Sequence, residues 1–340
     1  MEKKEKLFEV KNLVVKYTSA GAVSHAVNNI SFSINEGETL GIVGETGAGK
    51  TTTAFSILRI LPNMGRVSHM SADYIKFQGK NLLELKEAEM RSIRGALISM
   101  IFQDPMTSLN PVLTVGEQIA EAIRLHNPDM NEAEVQEEVD KMLKLVNIEP
   151  DRKHEYPHQF SGGMKQRVVI AIALSCKPKL IIADEPTTAL DVTIQAQVLA
   201  LIAELRRKLN TSMILITHDL GVVAETCDKV AVMYAGEIVE SGSIHEIFEG
   251  EHHHPYTIGL FGSIPLLDIE VERLSPIDGL MPDPTDLPEG CKFSPRCPYS
   301  NEECKKQQPQ KYIKDNHIIR CRLMKGIYEV AQPEAEGEIY

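Results

Sequence analysis

The sequence predicts an α/β fold centred on a parallel sheet that is covered on both faces, and three observations carry that expectation. Short apolar runs at Thr39–Val43, 180–183 and 213–216 read as buried strands. Stretches of helical periodicity alternate with them, as helical crossovers between parallel strands require. A glycine-rich loop leads from the first of these strands into a helical segment. No segment recurs along the chain, so a repeat array is excluded.

The elements follow in order. Residues 7–15 and 26–34 alternate apolar and polar side chains, which predicts two half-buried strands. Glu36-Gly37-Glu38 reads as a turn before strand Thr39–Val43. A helix is expected over 51–61, ended by Pro62 and Gly65, and further helices over 87–94, 116–126 and 131–146. Ile194, Val198, Leu201, Ile202 and Leu205 recur at helical spacing within Val192–Leu209. From about Pro265 the composition changes: prolines 265, 276, 282, 284, 288, 295 and 298 fall within 34 residues and exclude long helices. A domain boundary is expected there, dividing the 340 residues into 1–264 and 265–340.

Composition narrows the function. An apolar fraction of 43% with 25% charged residues is globular. The longest apolar runs stop far short of the roughly 18 residues a membrane span needs, and the charged start Met1-Glu-Lys-Lys-Glu-Lys carries no secretory signal. A cytosolic chain is expected, acting on a membrane only from outside the bilayer. The net charge of −12 argues against wholesale nucleic-acid binding. Disulfides are not expected among the six cysteines in such a compartment.

Gly44-Glu45-Thr46-Gly47-Ala48-Gly49-Lys50-Thr51 matches Gly-x-x-x-x-Gly-Lys-Ser/Thr in full, directly after a strand and opening a helix. Glycines let backbone amides close around phosphate oxygens, and the helix N-terminus adds positive potential. Lys50 is placed to reach the outer phosphates, the Thr51 hydroxyl suits Mg²⁺, and Thr52 follows in the same turn. In the second half of the motif, Leu180-Ile181-Ile182-Ala183-Asp184-Glu185, an apolar strand carries two carboxylates out at its C-terminal end, where parallel sheets bind ligands. Asp184 would hold Mg²⁺ through its shell and Glu185 would polarise the attacking water.

Phe160-Ser161-Gly162-Gly163-Met164-Lys165-Gln166-Arg167 lies between these motifs, with Gln103 before it and His218 after it. In this order the motifs resemble the ATP-binding cassette (ABC) family over roughly residues 7–260. The resemblance implies a P-loop (RecA-like) core, an antiparallel β subdomain and a helical signature subdomain over about 88–170. It implies that Tyr17 stacks on adenine, that Gln103 contacts Mg²⁺ and heads a loop facing membrane subunits, and that His218 contacts the γ-phosphate. Asp191 would lie in the loop meeting an opposite subunit and also reads as a helix N-cap. Ser161, Gly162 and Gly163, followed by Gln166, would form an anion site for the γ-phosphate held by a second subunit, so ATP is buried in a switchable dimer. One departure stands out: the usual signature has Leu at Phe160 and Gln at Met164. Residues 106–111 would lie where the family docks a permease helix.

Cys291, Cys297, Cys304 and Cys321 are separated by 5, 6 and 16 residues, without the Cys-x₂₋₄-Cys pairs of zinc ribbons. Chemistry alone leaves an iron–sulfur cluster, zinc or free thiols open. His254-Pro255-Tyr256-Thr257, followed by Gly290-Cys291 and Pro295-Arg296-Cys297-Pro298, resembles the di- and oligopeptide importer branch over roughly 252–324. That resemblance implies a 4Fe–4S cluster stapling a domain with little core. The adjacent His252, His253 and His254 read as solvated, and Cys176 and Cys227 as buried thiols.

The expectation is an ATPase, with ATP, Mg²⁺ and a 4Fe–4S cluster, on the cytoplasmic face of the cell membrane as a peripheral subunit. Its partners would be a second ABC ATPase subunit, two transmembrane permease subunits and, indirectly, an extracellular peptide-binding protein, with no nucleic acid. The alternatives are a soluble ABC ATPase of translation or DNA repair, an ATP-gated iron–sulfur redox regulator and, among importers, nickel or glutathione cargo.

Overall fold

Alternating burial organises the first strand, β1 (Lys6–Ser19), which hides Leu7, Phe8, Val10, Leu13 and Val15. It pairs antiparallel with β2 (Ala22–Asn35), from Lys6 opposite Asn35 to Ser19 opposite Ala22. Both strands outrun the alternating stretches at 7–15 and 26–34, because backbone pairing continues through Tyr17, Thr18 and Ser19 opposite Ser24, Val23 and Ala22. This computed structural model describes residues 6–19, 21–62, 67–188, 190–263 and 277–331. The expected stop at Gly65 and the expected boundary at Pro265 lie outside the described residues.

Strand β3 (Thr39–Val43) is wholly buried and runs through the glycine loop into α1 (Lys50–Ile57). The helix ends well before the expected residue 61. Arg59 turns left-handed at φ 55° and sends its N–H to the Ser56 carbonyl, so the chain unwinds before Pro62. Three short strands follow that periodicity did not reveal: β4 (Val67–Ser71), β5 (Tyr74–Phe77) and β6 (Lys80–Asn81). Strands β4 and β5 pair antiparallel with β1, and β6 with β5.

Next come α2 (Glu87–Ile93), β7 (Ile98–Ile101), α3 (Pro105–Ser108), α4 (Val115–His126) and α5 (Glu132–Leu145). The Asn131 side chain caps α5 and Glu134 reaches back to the Asn131 N–H, which fixes its start one residue inside the expected 131–146. The signature helix α6 (Gly162–Leu174) starts directly after Ser161, which is its N-cap. Strand β8 (Leu180–Asp184), helix α7 (Val192–Leu209) and strand β9 (Ser212–Thr217) follow. Beyond them lie α8 (Leu220–Thr226), β10 (Lys229–Tyr234), β11 (Glu237–Ser243), α9 (Ile244–Phe248) and α10 (Pro255–Gly262). The tail holds α11 (Glu302–Lys306), β12 (Tyr312–Lys314), β13 (His317–Ile319) and β14 (Glu329–Val330).

The chain divides into two units, residues 1–83 with 217–340, and residues 84–216. In the first, β3 pairs parallel with β10, which pairs antiparallel with β11. The tail hairpin extends this sheet, because β13 pairs with both β11 and β12, and β14 closes against β12. The tail's own core is small: Tyr312, Ile319 and Met324, flanked by Cys321 and Tyr328. In the second unit β7, β8 and β9 form a parallel array in which every residue is buried. Each buried Leu, Ile or Val there contributes about 1.5–3 kcal/mol.

Candidate functional site

The glycine loop's backbone follows from its crowding. A Cβ on Gly44 would sit 2.1 Å from the Met233 carbonyl oxygen, and one on Gly49 would sit 2.3 Å from that of Ala26. Gly49 also carries φ 101°, open to glycine alone at low cost. Thr46 and Gly47 are exposed at the tip, whereas Gly44 and Ala48 are buried. Lys50 is 5% exposed, and its ammonium donates to the carbonyls of Gly44 at 2.7 Å and Glu45 at 3.1 Å. Thr53 anchors the first turn of α1 by donating its hydroxyl to the Gly49 carbonyl. Thr51 and Thr52 lie half-buried in that turn. A lysine, a hydroxyl and the start of a helix therefore meet at one loop, an arrangement that takes phosphate.

In the same unit Tyr17 lies in β1 opposite Ser24 and Ser68, only 8% exposed. His218 is exposed where the chain leaves β9, directly before Asp219, which caps α8 with both the Gly221 and Val222 amides.

The second unit brings other expected residues together. Asp184 ends β8 at 1% exposure. Glu185 adopts φ 45°, a left-handed conformation that a glutamate holds only where its surroundings impose it. Its N–H is tied to the Ile216 carbonyl, and its carboxylate accepts from Thr188 Oγ1 and Gln103 Nε2, both at 3.0 Å. Gln103, 82 residues earlier in sequence, is exposed just beyond β7.

Ser161 is exposed at the head of α6, its hydroxyl accepting from the Met164 N–H, with Gly162 beside it. Gly163 is required by packing as well, for a Cβ there would lie 2.5 Å from Ile194 Cγ2. Asp191 is the N-cap of α7 and accepts from the Ile194 N–H. Gln166, expected among the nucleotide-contacting residues, is instead fully buried and donates to the Pro186 carbonyl at 2.6 Å. It holds the turn after Glu185 from behind. The two residues of that departure, Phe160 and Met164, share one partner, since the Arg152 guanidinium lies 4.5 Å over the Phe160 ring and donates to Met164 Sδ.

The tail cysteines line one cavity of about 110 Å³. Burial pushes the Cys291 thiol up to about 11 and Cys321 to about 12, and neighbouring cysteines add to both shifts. Among the described residues only Glu240, His253 and His317 bring three ligand atoms within 4.8 Å of one another, so no three of these sulfurs approach that closely. Zinc–sulfur bonds of about 2.3 Å would draw four thiolates to roughly 3.8 Å apart. Four thiols gathered at one cavity are a donor set that either zinc or an iron–sulfur cluster accepts.

The histidines overturn an expectation. His253 and His254 are not solvated; they pack around Glu240 of β11, which is 0% exposed. One Glu240 oxygen accepts from His253 Nδ1 and His317 Nε2, both at 2.8 Å, and the other from the His254 N–H at 2.7 Å. His253 Nε2 faces the Gly250 carbonyl at 2.8 Å, so both its ring nitrogens meet oxygen acceptors, which favours its protonated form. The result fastens β11, the approach to α10 and β13 together. Adjacent histidines gave no sign of this in sequence, because Glu240 and His317 lie 13 and 64 residues away from His253.

Fold and loop chemistry together define a P-loop ATPase of the ATP-binding-cassette type. Residues 27–188 match the family described as ABC transporter. Residues 239–304 match the oligopeptide/dipeptide transporter C-terminal region. The dipeptide transport ATP-binding protein DppD of Bacillus subtilis is 51% identical over 94% of this chain and 95% of its own length. The oligopeptide transport ATP-binding protein OppD of Salmonella typhimurium is 48% identical over 93% of each. Among solved structures, cbiO1 of Clostridium perfringens, part of an ABC transporter complex, superposes with a TM-score of 0.62 at 30% identity, covering 72% of this chain and 92% of that one. A dimeric ATP-binding cassette bound to ADP and Pi gives 0.61 at 26% identity over 70% and 98%. The chain belongs to the ABC transporter family, in the branch of dipeptide and oligopeptide transport ATP-binding proteins.

Proposed function

We propose that this chain is the ATP-hydrolysing, energy-coupling subunit of an importer for dipeptides or oligopeptides. The observation that carries the reading is one chain joining a complete phosphate loop to the C-terminal region of the peptide-transport branch. ATP is held by Gly44 to Thr52, with Tyr17 toward the base, and Mg²⁺ by Thr51, Gln103 and Asp184. Glu185 polarises the attacking water and His218 contacts the γ-phosphate. Ser161, Gly162, Gly163 and Asp191 face the nucleotide of a second ABC ATPase subunit, a related chain or a second copy. Closure on ATP drives two membrane permease subunits, with an extracellular binding protein delivering the peptide.

Among the described residues no helix is long and apolar enough to cross a membrane. Attachment at the cytoplasmic face through the permease subunits supplies the membrane association. Residues 265–340 act as an accessory domain appended to a nucleotide-binding domain over 1–264, with the helical subdomain at about 88–170. Cys291, Cys297, Cys304 and Cys321 suit a 4Fe–4S cluster, which when bound would cross-link this short tail. Peptide-stimulated ATP turnover of the complex reconstituted with its permeases tests the reading. Turnover that ignores peptide but follows nickel or glutathione would reassign the cargo.

A further inference from the structure

The phosphate loop is gripped by a residue from the cysteine-rich tail. Arg296, whose side chain is 5% exposed, forms a two-pronged ion pair with the Glu45 carboxylate, Nη1 to Oε2 at 2.6 Å and Nη2 to Oε1 at 3.1 Å. The fork itself is aimed from behind. Nε donates to the Asp278 carbonyl at 3.0 Å and Nη2 to that of Ile277 at 3.2 Å, so the guanidinium cannot rotate without losing several bonds. Tyr256 adds a second hold, its hydroxyl oxygen accepting the Glu45 N–H at 2.8 Å. Tyr256 is buried beside Tyr234 and Phe293, with ring centroids 4.6 and 5.5 Å away. Glu45 is thus fixed at its amide, its carboxylate and, through Lys50, its carbonyl.

A carboxylate one residue into a phosphate loop opposes its anionic ligand unless a cation cancels it. We infer that Arg296 is a positioning residue for ATP: it neutralises Glu45 and holds the loop in its phosphate-binding shape, so that nucleotide affinity depends on the tail. This rests on the reading of residues 44–51 as an ATP site.

The test is MgATP affinity of the full chain by calorimetry, with far-UV spectra confirming the fold. Arg296→Gln should weaken binding about tenfold or more. In turnover assays KM should rise while kcat stays within about twofold. Glu45→Gln placed on top of Arg296→Gln should recover most of the affinity, because the uncancelled charge is gone. Arg296→Lys, which keeps the charge and loses the fork, should show a smaller loss that Glu45→Gln also relieves. Should Arg296→Gln fail to fold, the Lys pair decides alone. Unchanged affinity in the Arg296 variants, or a double variant as weak as the single, overturns the inference. Failure of the unaltered chain to bind MgATP instead overturns the underlying ATP site.

Discussion

Gln103 donates its side-chain amide to the carboxylate of Glu185 at 3.0 Å, across 82 residues of sequence. The bond joins the residue proposed for Mg²⁺ to the residue proposed to polarise water, and Thr188 holds the same carboxylate oxygen at 3.0 Å. Glu185 is aimed by its neighbours and by a left-handed backbone that no sequence pattern announces.

Replacing Glu185 by Gln keeps the shape and removes the proposed base. Hydrolysis should fall by roughly 10²-fold or more, the share of general-base catalysis, while MgATP binding persists. Parallel turnover and equilibrium-binding measurements check this, and normal turnover would refute the assigned role.

Gly163 should tolerate no side chain. Gly163→Ala places a methyl 2.5 Å from Ile194 Cγ2, and overpacking of this kind costs about 1–3 kcal/mol. Gly162→Ala meets Leu190 only at 3.5 Å and should unfold near the unaltered protein. Urea titrations of both variants separate packing from the anion site.

The buried histidines predict a pH profile. Burial lowers His254 to about 4, and its Nδ1 accepts the Tyr256 N–H, which protonation would break. Its contribution is present above its unfolded value near 6.5 and is lost as pH falls through about 4, up to about 3 kcal/mol. The hydrogen bond to Glu240 raises His253 against its burial, so that group stabilises below 6.5 and its share fades as pH rises above that value. Burial pushes Glu240 up, but its histidine partners outweigh this and bring it to about 2, so its share is lost only between about 4.5 and 2. His254→Asn, which retains a capping acceptor, should flatten stability between pH 4 and 6.5. Thermal melts across that window that keep their original slope would contradict it.

Protein purified without oxygen should carry about four irons with matching sulfide, and Cys304→Ser should lose the visible absorption. One zinc and no iron would remove the cluster from the tail. The MgATP site should survive in either case, as a binding measurement on the same sample would show.

The glycine loop, the acidic strand and the signature were legible because each is a contiguous run whose chemistry is local. Val192–Leu209 matched its expected bounds because Asp191 caps its start and periodicity sets its face. The limits of α1 were not legible, since a left-handed Arg59 rather than a proline ends it. Strands β4 to β6 were missed because strands of two to five residues carry almost no periodicity.

By itself the sequence determined which backbone could cradle phosphate, which strand would carry the two carboxylates and where the cysteines crowd, all properties of neighbours along the chain. Tertiary structure alone decided that Arg296 meets Glu45 across 251 residues, that Glu240 draws in His253 and His317, and that Gln166 turns inward. Such pairings follow from strand register and burial, which bring distant residues together with no mark on their local sequence.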